Sequence, residues 1–260
     1  AMKVLTRQWD DEVALYGLIT GPFTLALHLL GTDIFLRMFD SANQVHQLLD
    51  FCADVGKKAA DFYLHNGADV IAVVDPMTSQ ISPEHFRQFV TEPVNELFDC
   101  IRQRGGLSSL FVCGNATRNL EEMCRSKCDN VSVDENISLE SLRDFAGKHD
   151  KSFGGNLKLT TVLLLGTEAD ARRDAIRCLD TGGTTGFVLA PGCDLPYATP
   201  EANLQAVAQL VHDPYQQQVA RAEAVTPVSE VFDEIQLPDY DHQRHVTVDV
   251  VTLDSASCAP

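Results

Sequence analysis

The chain has 260 residues, and its 20 lysines and arginines against 37 aspartates and glutamates leave a net charge of −17. A nucleic-acid backbone or an anionic membrane surface requires a basic face, so we expect neither as a partner. Apolar residues make up 45% of the chain, enough for a large core. The longest apolar runs, Val70 to Val74 and Thr161 to Leu165, are far shorter than the roughly 20 residues of a membrane-spanning helix.

The chain alternates short β-branched runs with longer helical patterns. We predict about six strands, at Val13 to Ile19, Asp69 to Asp75, Ser109 to Cys113, Asn130 to Asp134, Ser152 to Leu157 and Gly186 to Ala190. Helical patterns lie at Gln44 to His65, Glu84 to Arg104, Glu168 to Asp180 and Glu201 to His212. Strands separated by helices at this spacing predict right-handed βαβ units, and hence an α/β fold with a parallel sheet inside a layer of helices.

Several predicted strands end in a polar or reactive residue, which favours a TIM (β/α)8 barrel over an open sheet. These residues are Asp75, Cys113, Asp134, Asn156 and, just past the last strand, Cys193. A barrel of this kind carries its chemistry at the rim formed by the carboxyl ends of its strands. Because a closed barrel has eight strands, we expect the first one or two β/α units to be missing from this chain. A second chain would then cover the open edges, which makes a homo-oligomer possible.

The pattern changes after residue 213. We assign residues 1–213 to the barrel and residues 214–244 to an acidic, proline-containing linker. His245 to Leu253 alternates as a strand does and continues into Ser257-Cys258-Ala259-Pro260. This ending resembles the opening of a thioredoxin-like domain, whose active turn begins with cysteine. Residues 245–260 are therefore predicted to start a truncated domain of that kind, and a tail with one exposed thiol is the alternative.

Two of the eight cysteines are candidates for chemistry. The first residues contain no apolar signal segment, so we expect a reducing, cytoplasmic setting in which cysteines are thiols or metal ligands. Cys113 and Cys193 each close a predicted strand, and a barrel would bring both to one rim. Two thiolates begin a zinc site, although a catalytic zinc uses three protein ligands and keeps one position open. Two ordinary cysteines near loops are the alternative.

Short motifs rich in glycine and proline follow one another over roughly residues 13 to 213. They are Gly21 to Ala26 with His28 and Gly31, Gly67 to Ile71, Asp75-Pro76 with Ser82 to Glu84, Val112 to Asn115, Gly155 to Leu157, and Ala190 to Pro196 with Thr199-Pro200 and Asn203. Together they resemble the uroporphyrinogen decarboxylase superfamily, and more narrowly its branch of methylcobamide:coenzyme M methyltransferases and related corrinoid-dependent enzymes. The resemblance implies a TIM barrel and a zinc-bound thiol that accepts a methyl group from a methylated corrinoid.

Departures from the family pattern favour the methyltransferase branch and also weaken its metal site. His28 matches the catalytic tyrosine of the decarboxylases, and Pro191-Gly192-Cys193 replaces their Gly-His-Gly turn. The methyltransferase zinc motif resembles His-x-Cys followed far downstream by Cys, but this chain has Phe111 at the first position. The candidates for a third ligand are therefore His28, Asp75 and Asp134, and an ordinary helix histidine is the alternative for His28.

The resemblance implies the remaining roles. Zinc would stabilise the thiolate of a small thiol substrate, and a separate corrinoid carrier protein would present the cobalt-bound methyl group. Asp75, Asn115 and Asp134 are expected to act at the rim and Asn156 to contact the corrinoid, with purely structural roles as the alternative for each. Two other functions stay open: a decarboxylase-like lyase acting on a tetrapyrrole, and a non-catalytic barrel that binds a corrinoid or a tetrapyrrole.

Overall fold

A computed structural model describes residues 2–9 and 12–225. Six strands form one parallel sheet in chain order: β1 Tyr16–Thr20, β2 Val70–Val74, β3 Leu107–Val112, β4 Asn130–Val133, β5 Ser152–Leu157 and β6 Phe187–Pro191. The register runs from Tyr16 beside Val70 to Leu157 beside Pro191. The six predicted strands are confirmed, with some of their ends shifted.

Helices connect the strands. They are α1 Met2–Trp9, α2 Pro22–Leu30, α3 Asp33–Asp40, α4 Ala42–His65, α5 Pro83–His85, α6 Thr91–Gln103, α7 Leu120–Arg125, α8 Leu139–Lys148, α9 Glu168–Gly182, α10 Glu201–His212 and α11 Pro214–Val225. The helix predicted from Glu84 to Arg104 is broken by a π-helical turn at Phe86–Val90, and a second such segment occupies Leu159–Leu164. Short 3-10 turns lie at Pro76–Gln80 and Thr117–Asn119.

The start of the predicted linker is a helix. Residues 214–244 were assigned to the linker, but α11 occupies Pro214–Val225, contacts α9 and α10, and pairs Arg221 with Asp180. Pro214 is the first residue of this helix. Proline suits that position, because N–H groups of the first turn have no acceptor within the helix and the one that proline lacks is not needed. The rest of the linker and the predicted thioredoxin-like segment lie outside the described residues.

The two faces of the sheet differ in polarity. Gly17 of β1 lies against Tyr63 of α4, where an added Cβ would come within 2.6 Å of the ring, so this face is the one covered by helices. Most strand residues on this face are buried and apolar, including Ile71, Val73 and Leu110, and the buried Ser108 is a polar exception. They alternate along each strand with the residues of the opposite face, because successive side chains of a strand point to opposite faces of the sheet.

The opposite face carries a hydrogen-bonded polar row. Asn130 accepts from the hydroxyls of Ser109 and Ser132 at 2.9 Å and donates to Ser152 at 3.1 Å. At the edge of this face Leu18 of β1 is 54% exposed. Among the described residues β1 and β6 each pair with one strand only, so the sheet is not closed into a ring.

Within residues 2–9 and 12–225, no helix combines the length and the apolar character that crossing a bilayer takes.

Candidate active site at the carboxyl ends of the strands

Two sulphur atoms meet where β3 and β6 end. Cys113 directly follows β3, and Cys193 lies two residues beyond the end of β6. Their Sγ atoms are 2.6 Å apart, although the residues are separated by 80 positions in the chain. Both residues are half-buried. The structure thus places the two cysteines together at one rim, as the barrel pattern predicts.

Close contacts of the neighbouring loops hold the sulphur atoms in place. Gly192 donates its N–H to the carbonyl of Leu157 at 2.9 Å. A Cβ at Gly192 would lie 2.6 Å from the nitrogen of Glu135, so only glycine lets this loop approach the loop after β4. Any larger residue would push the loop outward, and the sulphur of Cys193 would move with it.

Asp134 fastens the loop that carries Cys113. Its carboxylate accepts the N–H of Gly114 at 3.1 Å and the N–H of Asn136 at 2.8 Å. Gly114 has a φ of +83°, a left-handed conformation that suits glycine. Asp134 was predicted to act on substrate or metal, but its carboxylate is buried and bonded to these two loops. In the structure it therefore positions Cys113.

The surroundings of the sulphur pair are acidic. Burial raises the pKa of Cys113 most, and the contact with Cys193 and the charges of Asp134 and Asp194 raise it further. Both effects disfavour a negative sulphur, so the Cys113 thiol keeps its proton at neutral pH unless a cation binds. A bound cation reverses this preference, because a coordinated thiol loses its proton.

The predicted zinc ligands fit the ion in kind but not in number. Cysteine sulphur is a good zinc ligand, and two such atoms converge. His28 lies exposed on α2 and does not join them, and in residues 2–9 and 12–225 no three His, Cys, Asp or Glu side chains form a metal-binding group. The set Cys113, Cys193 and His28 is therefore not assembled in this part of the chain. Phe111 occupies the position where the resemblance expects a histidine ligand.

Asp75 caps a helix instead of facing a substrate. Its side chain is fully buried, and its carboxylate accepts the hydroxyl of Thr24 at 2.6 Å and the N–H groups of Thr24 and Phe23 at 2.7 and 3.2 Å. These donors belong to the first turn of α2, so Asp75 satisfies main-chain groups that have no helical partner. Burial raises its pKa to about 6. In the structure Asp75 thus makes the contacts of a helix cap, which is the structural alternative, and its predicted catalytic role stays a prediction.

Asn115 and Asn156 also bond to the chain itself. The exposed Asn115 accepts the hydroxyl of Thr117 at 2.7 Å and its N–H at 3.2 Å, which shapes the turn after Cys113. Asn156 is 1% exposed and donates to the carbonyls of Asp134 and Ile137 at 3.2 and 2.7 Å. Its side chain is directed into the protein, and the predicted corrinoid contact at Asn156 stays a prediction.

Glu135 also belongs to the site, although no sequence motif indicates it. Its carboxylate accepts the N–H of Leu159 after β5, and its main chain lies against Gly192 after β6. It therefore ties three strand-end loops together. The available signal was a second acidic residue directly after Asp134 at the end of a predicted strand.

Comparison with known proteins gives matches over most of the chain. The Uroporphyrinogen decarboxylase (URO-D) family model matches residues 1–214. Methylcobamide:CoM methyltransferase MtbA of Methanosarcina acetivorans is 31% identical over 211 residues, which cover 80% of this chain and 61% of that protein. Uroporphyrinogen decarboxylase of Nostoc punctiforme is 25% identical, covering 78% of this chain and 59% of that protein. The chain thus spans about three fifths of the length of these curated relatives.

Among solved structures, a methyltransferase from Methanosarcina mazei is similar with a TM-score of 0.76 and 26% sequence identity, covering 82% of this chain and 63% of that one. A B12-independent methionine synthase from Shewanella has a TM-score of 0.59 at 13% identity, a likeness of fold alone.

Proposed function

This chain belongs to the uroporphyrinogen decarboxylase (URO-D) family, and we propose that it works as a methyltransferase that moves a methyl group between a methyl-corrinoid protein and a thiol. The family, its methyltransferase-like branch and the α/β barrel fold predicted from the sequence are confirmed. The activity, its substrates and its partners are the proposal, for which the relative named methylcobamide:CoM methyltransferase provides the model.

The observation that carries the proposal is the pair of sulphur atoms 2.6 Å apart at the strand ends. A decarboxylase acting on a tetrapyrrole must hold several carboxylates, which requires cationic side chains. The charges that act on Cys113 come from Asp134 and Asp194, and they are negative, whereas a polycarboxylate substrate requires positive ones. A site of thiols and carboxylates therefore suits a sulphur nucleophile with a cation better than a polycarboxylate substrate.

Zinc, when bound, would be held by Cys113 and Cys193 and would keep a substrate thiol deprotonated near neutral pH. The protein's own contribution is to keep the two sulphurs in one place. Asp134 fixes the loop of Cys113 through Gly114, and Gly192 lets the loop of Cys193 come close. In the proposed transfer, the proton of the substrate thiol would pass to water, the thiolate sulphur would form a bond to the methyl carbon, and the electron pair of the broken cobalt–carbon bond would stay with the corrinoid substrate.

The proposed partners are a corrinoid carrier protein and a small thiol. The net charge of −17 suits a carrier with a complementary basic face. Coenzyme M is the first thiol to test, because the relative's name contains it. We place this activity in the cytoplasm, where free thiols persist.

The test is thiol-dependent demethylation of methylcobalamin, followed by the change in corrinoid absorbance in the presence of zinc. We expect activity with a small thiol, and a loss of about 100-fold or more in Cys113→Ser and in Cys193→Ser. Cys100→Ser is the matched control, because Cys100 is also half-buried but lies on α6. Activity unchanged in both site variants would refute the proposal, as would decarboxylation of uroporphyrinogen without any demethylation.

A further inference from the structure

We propose that Cys113 and Cys193 form a dithiol–disulfide couple that closes the loop after β3 onto the loop after β6. The proposal concerns the redox chemistry of the pair and does not depend on the proposed methyl transfer. It predicts a covalent modification of two named residues and a state in which neither sulphur can bind a ligand.

The two sulphur atoms are close enough to be joined by a disulfide bond. They are 2.6 Å apart, and a disulfide bond measures about 2.05 Å. Two thiolates that bind one tetrahedral zinc at about 2.3 Å each lie about 3.8 Å from one another. A small movement of the two loops would bring the sulphurs to either distance, so the pair can form a disulfide bond as well as share a metal ion.

The surroundings of the pair leave it available for oxidation. At position 111 a phenylalanine stands where the family resemblance expects a metal ligand, and the described residues add no third ligand to the two sulphurs. Two protein ligands hold zinc less firmly than three. We therefore expect the pair to hold a metal less firmly than a complete site does, and both residues are partly exposed.

The other cysteines of the described residues are poorer candidates. Cys52, Cys124, Cys128 and Cys178 are at most 1% exposed. Cys100 is half-buried, and the hydrogen bond that its sulphur accepts from Arg104 at 2.9 Å favours a reactive thiolate. No second cysteine sulphur is recorded in contact with Cys100 among the described residues, so it can form a mixed disulfide but not an internal one.

A small-molecule disulfide such as oxidised glutathione supplies the oxidising equivalents. One rim cysteine loses its proton, attacks the small disulfide as a thiolate, forms a mixed disulfide and releases one molecule of the small thiol. The second rim cysteine then attacks that mixed disulfide, forms the Cys113–Cys193 bond and releases the second molecule. Two electrons pass from the cysteines to the small disulfide, and the two cysteine protons end on the two released thiols. A dithiol reductant reverses the reaction.

The experiment counts thiols in the reduced chain before and after treatment with oxidised glutathione. After denaturation and alkylation, mass spectrometry should find all eight cysteines alkylated before oxidation and two fewer afterwards. Trypsin followed by Asp-N yields residues 105–118 with Cys113 and residues 180–193 with Cys193, and it separates Cys178 from Cys193. We expect these two peptides to be linked, and dithiothreitol to release them.

Variants make the assignment specific. Cys113→Ser and Cys193→Ser should each abolish the linked peptide, whereas Cys100→Ser should still lose two thiols. The proposal is overturned if the wild-type chain keeps all its thiols, if the bond maps to other cysteines, or if glutathione only adds to the chain without a cross-link. Because this readout is chemical, its failure would leave the demethylation assay unaffected, and the reverse also holds.

Discussion

Replacing Asp75 by asparagine should change how the stability of the protein depends on pH. Burial raises the pKa of Asp75 from 3.8 to about 6, against hydrogen bonds from Thr24 and Phe23 that lower it. The folded state thus holds this proton more tightly than the unfolded state. The resulting stabilisation is complete below pH 3.8 and is lost as the pH rises through about 6. Over the full interval it amounts to about 3 kcal/mol.

Most of this change falls in an accessible pH range. Between pH 7.5 and pH 4.5 the wild-type chain should gain about 2 kcal/mol relative to Asp75→Asn, because asparagine does not titrate. The variant should also be less stable at pH 4.5 in absolute terms, since its amide nitrogen can take the place of the oxygen that accepts from Phe23. Urea unfolding at the two pH values measures both quantities.

Asp170 provides a matched control. It too caps a helix, and its carboxylate accepts the N–H and hydroxyl of Thr167 at 2.9 and 2.7 Å, much as Asp75 does with Thr24. The hydrogen bonds from Thr167 lower its pKa below 3.8, so its titration lies below the tested range. Asp170→Asn should therefore differ from the wild type by a similar amount at pH 4.5 and pH 7.5. The reasoning is refuted if Asp75→Asn behaves in the same way.

Two further substitutions test the sulphur site. Phe111→His should raise the affinity for zinc by about tenfold or more, since the new imidazole lies on the same strand face as Cys113. Equilibrium dialysis with elemental analysis measures this affinity. Unchanged zinc binding would mean that position 111 does not face the metal. Gly192→Ala should reduce both zinc binding and disulfide formation, because its Cβ would meet the main chain of Glu135 at 2.6 Å and displace Cys193. If Gly192→Ala loses the same two thiols on oxidation as the wild type does, that account is contradicted.

The sheet and the convergence of the cysteines could be predicted from the sequence because both depend on local pattern. Strand β2 is a run rich in β-branched residues, and the spacing of the strands by helices predicts a parallel order. Cys113 and Cys193 lie at or just past strand ends, which meet at one edge in any such sheet. The short helices α7 and α8 were missed, since six and ten residues show little periodicity.

The roles of the polar residues could not be predicted, because they depend on what the fold places beside them. Asp75 sits at a strand end as a catalytic acid would, but the close approach of Gly21 brings the start of α2 against its carboxylate. Asn156 likewise ends a strand, yet its side chain enters the protein to bond with Ile137. Strand-end position alone does not distinguish a residue that faces a ligand from one that fastens a loop.

Isotope transfer is the most direct test of the proposed function. The chain is incubated with methylcobalamin that carries a ¹³C-labelled methyl group, a small thiol and zinc, and the methylated thiol is identified by mass spectrometry. We expect labelled thioether from the wild type and from Cys100→Ser, and none above background from the double variant Cys113→Ser, Cys193→Ser. Labelled product at the wild-type rate from the double variant would show that the paired sulphurs do not carry the reaction.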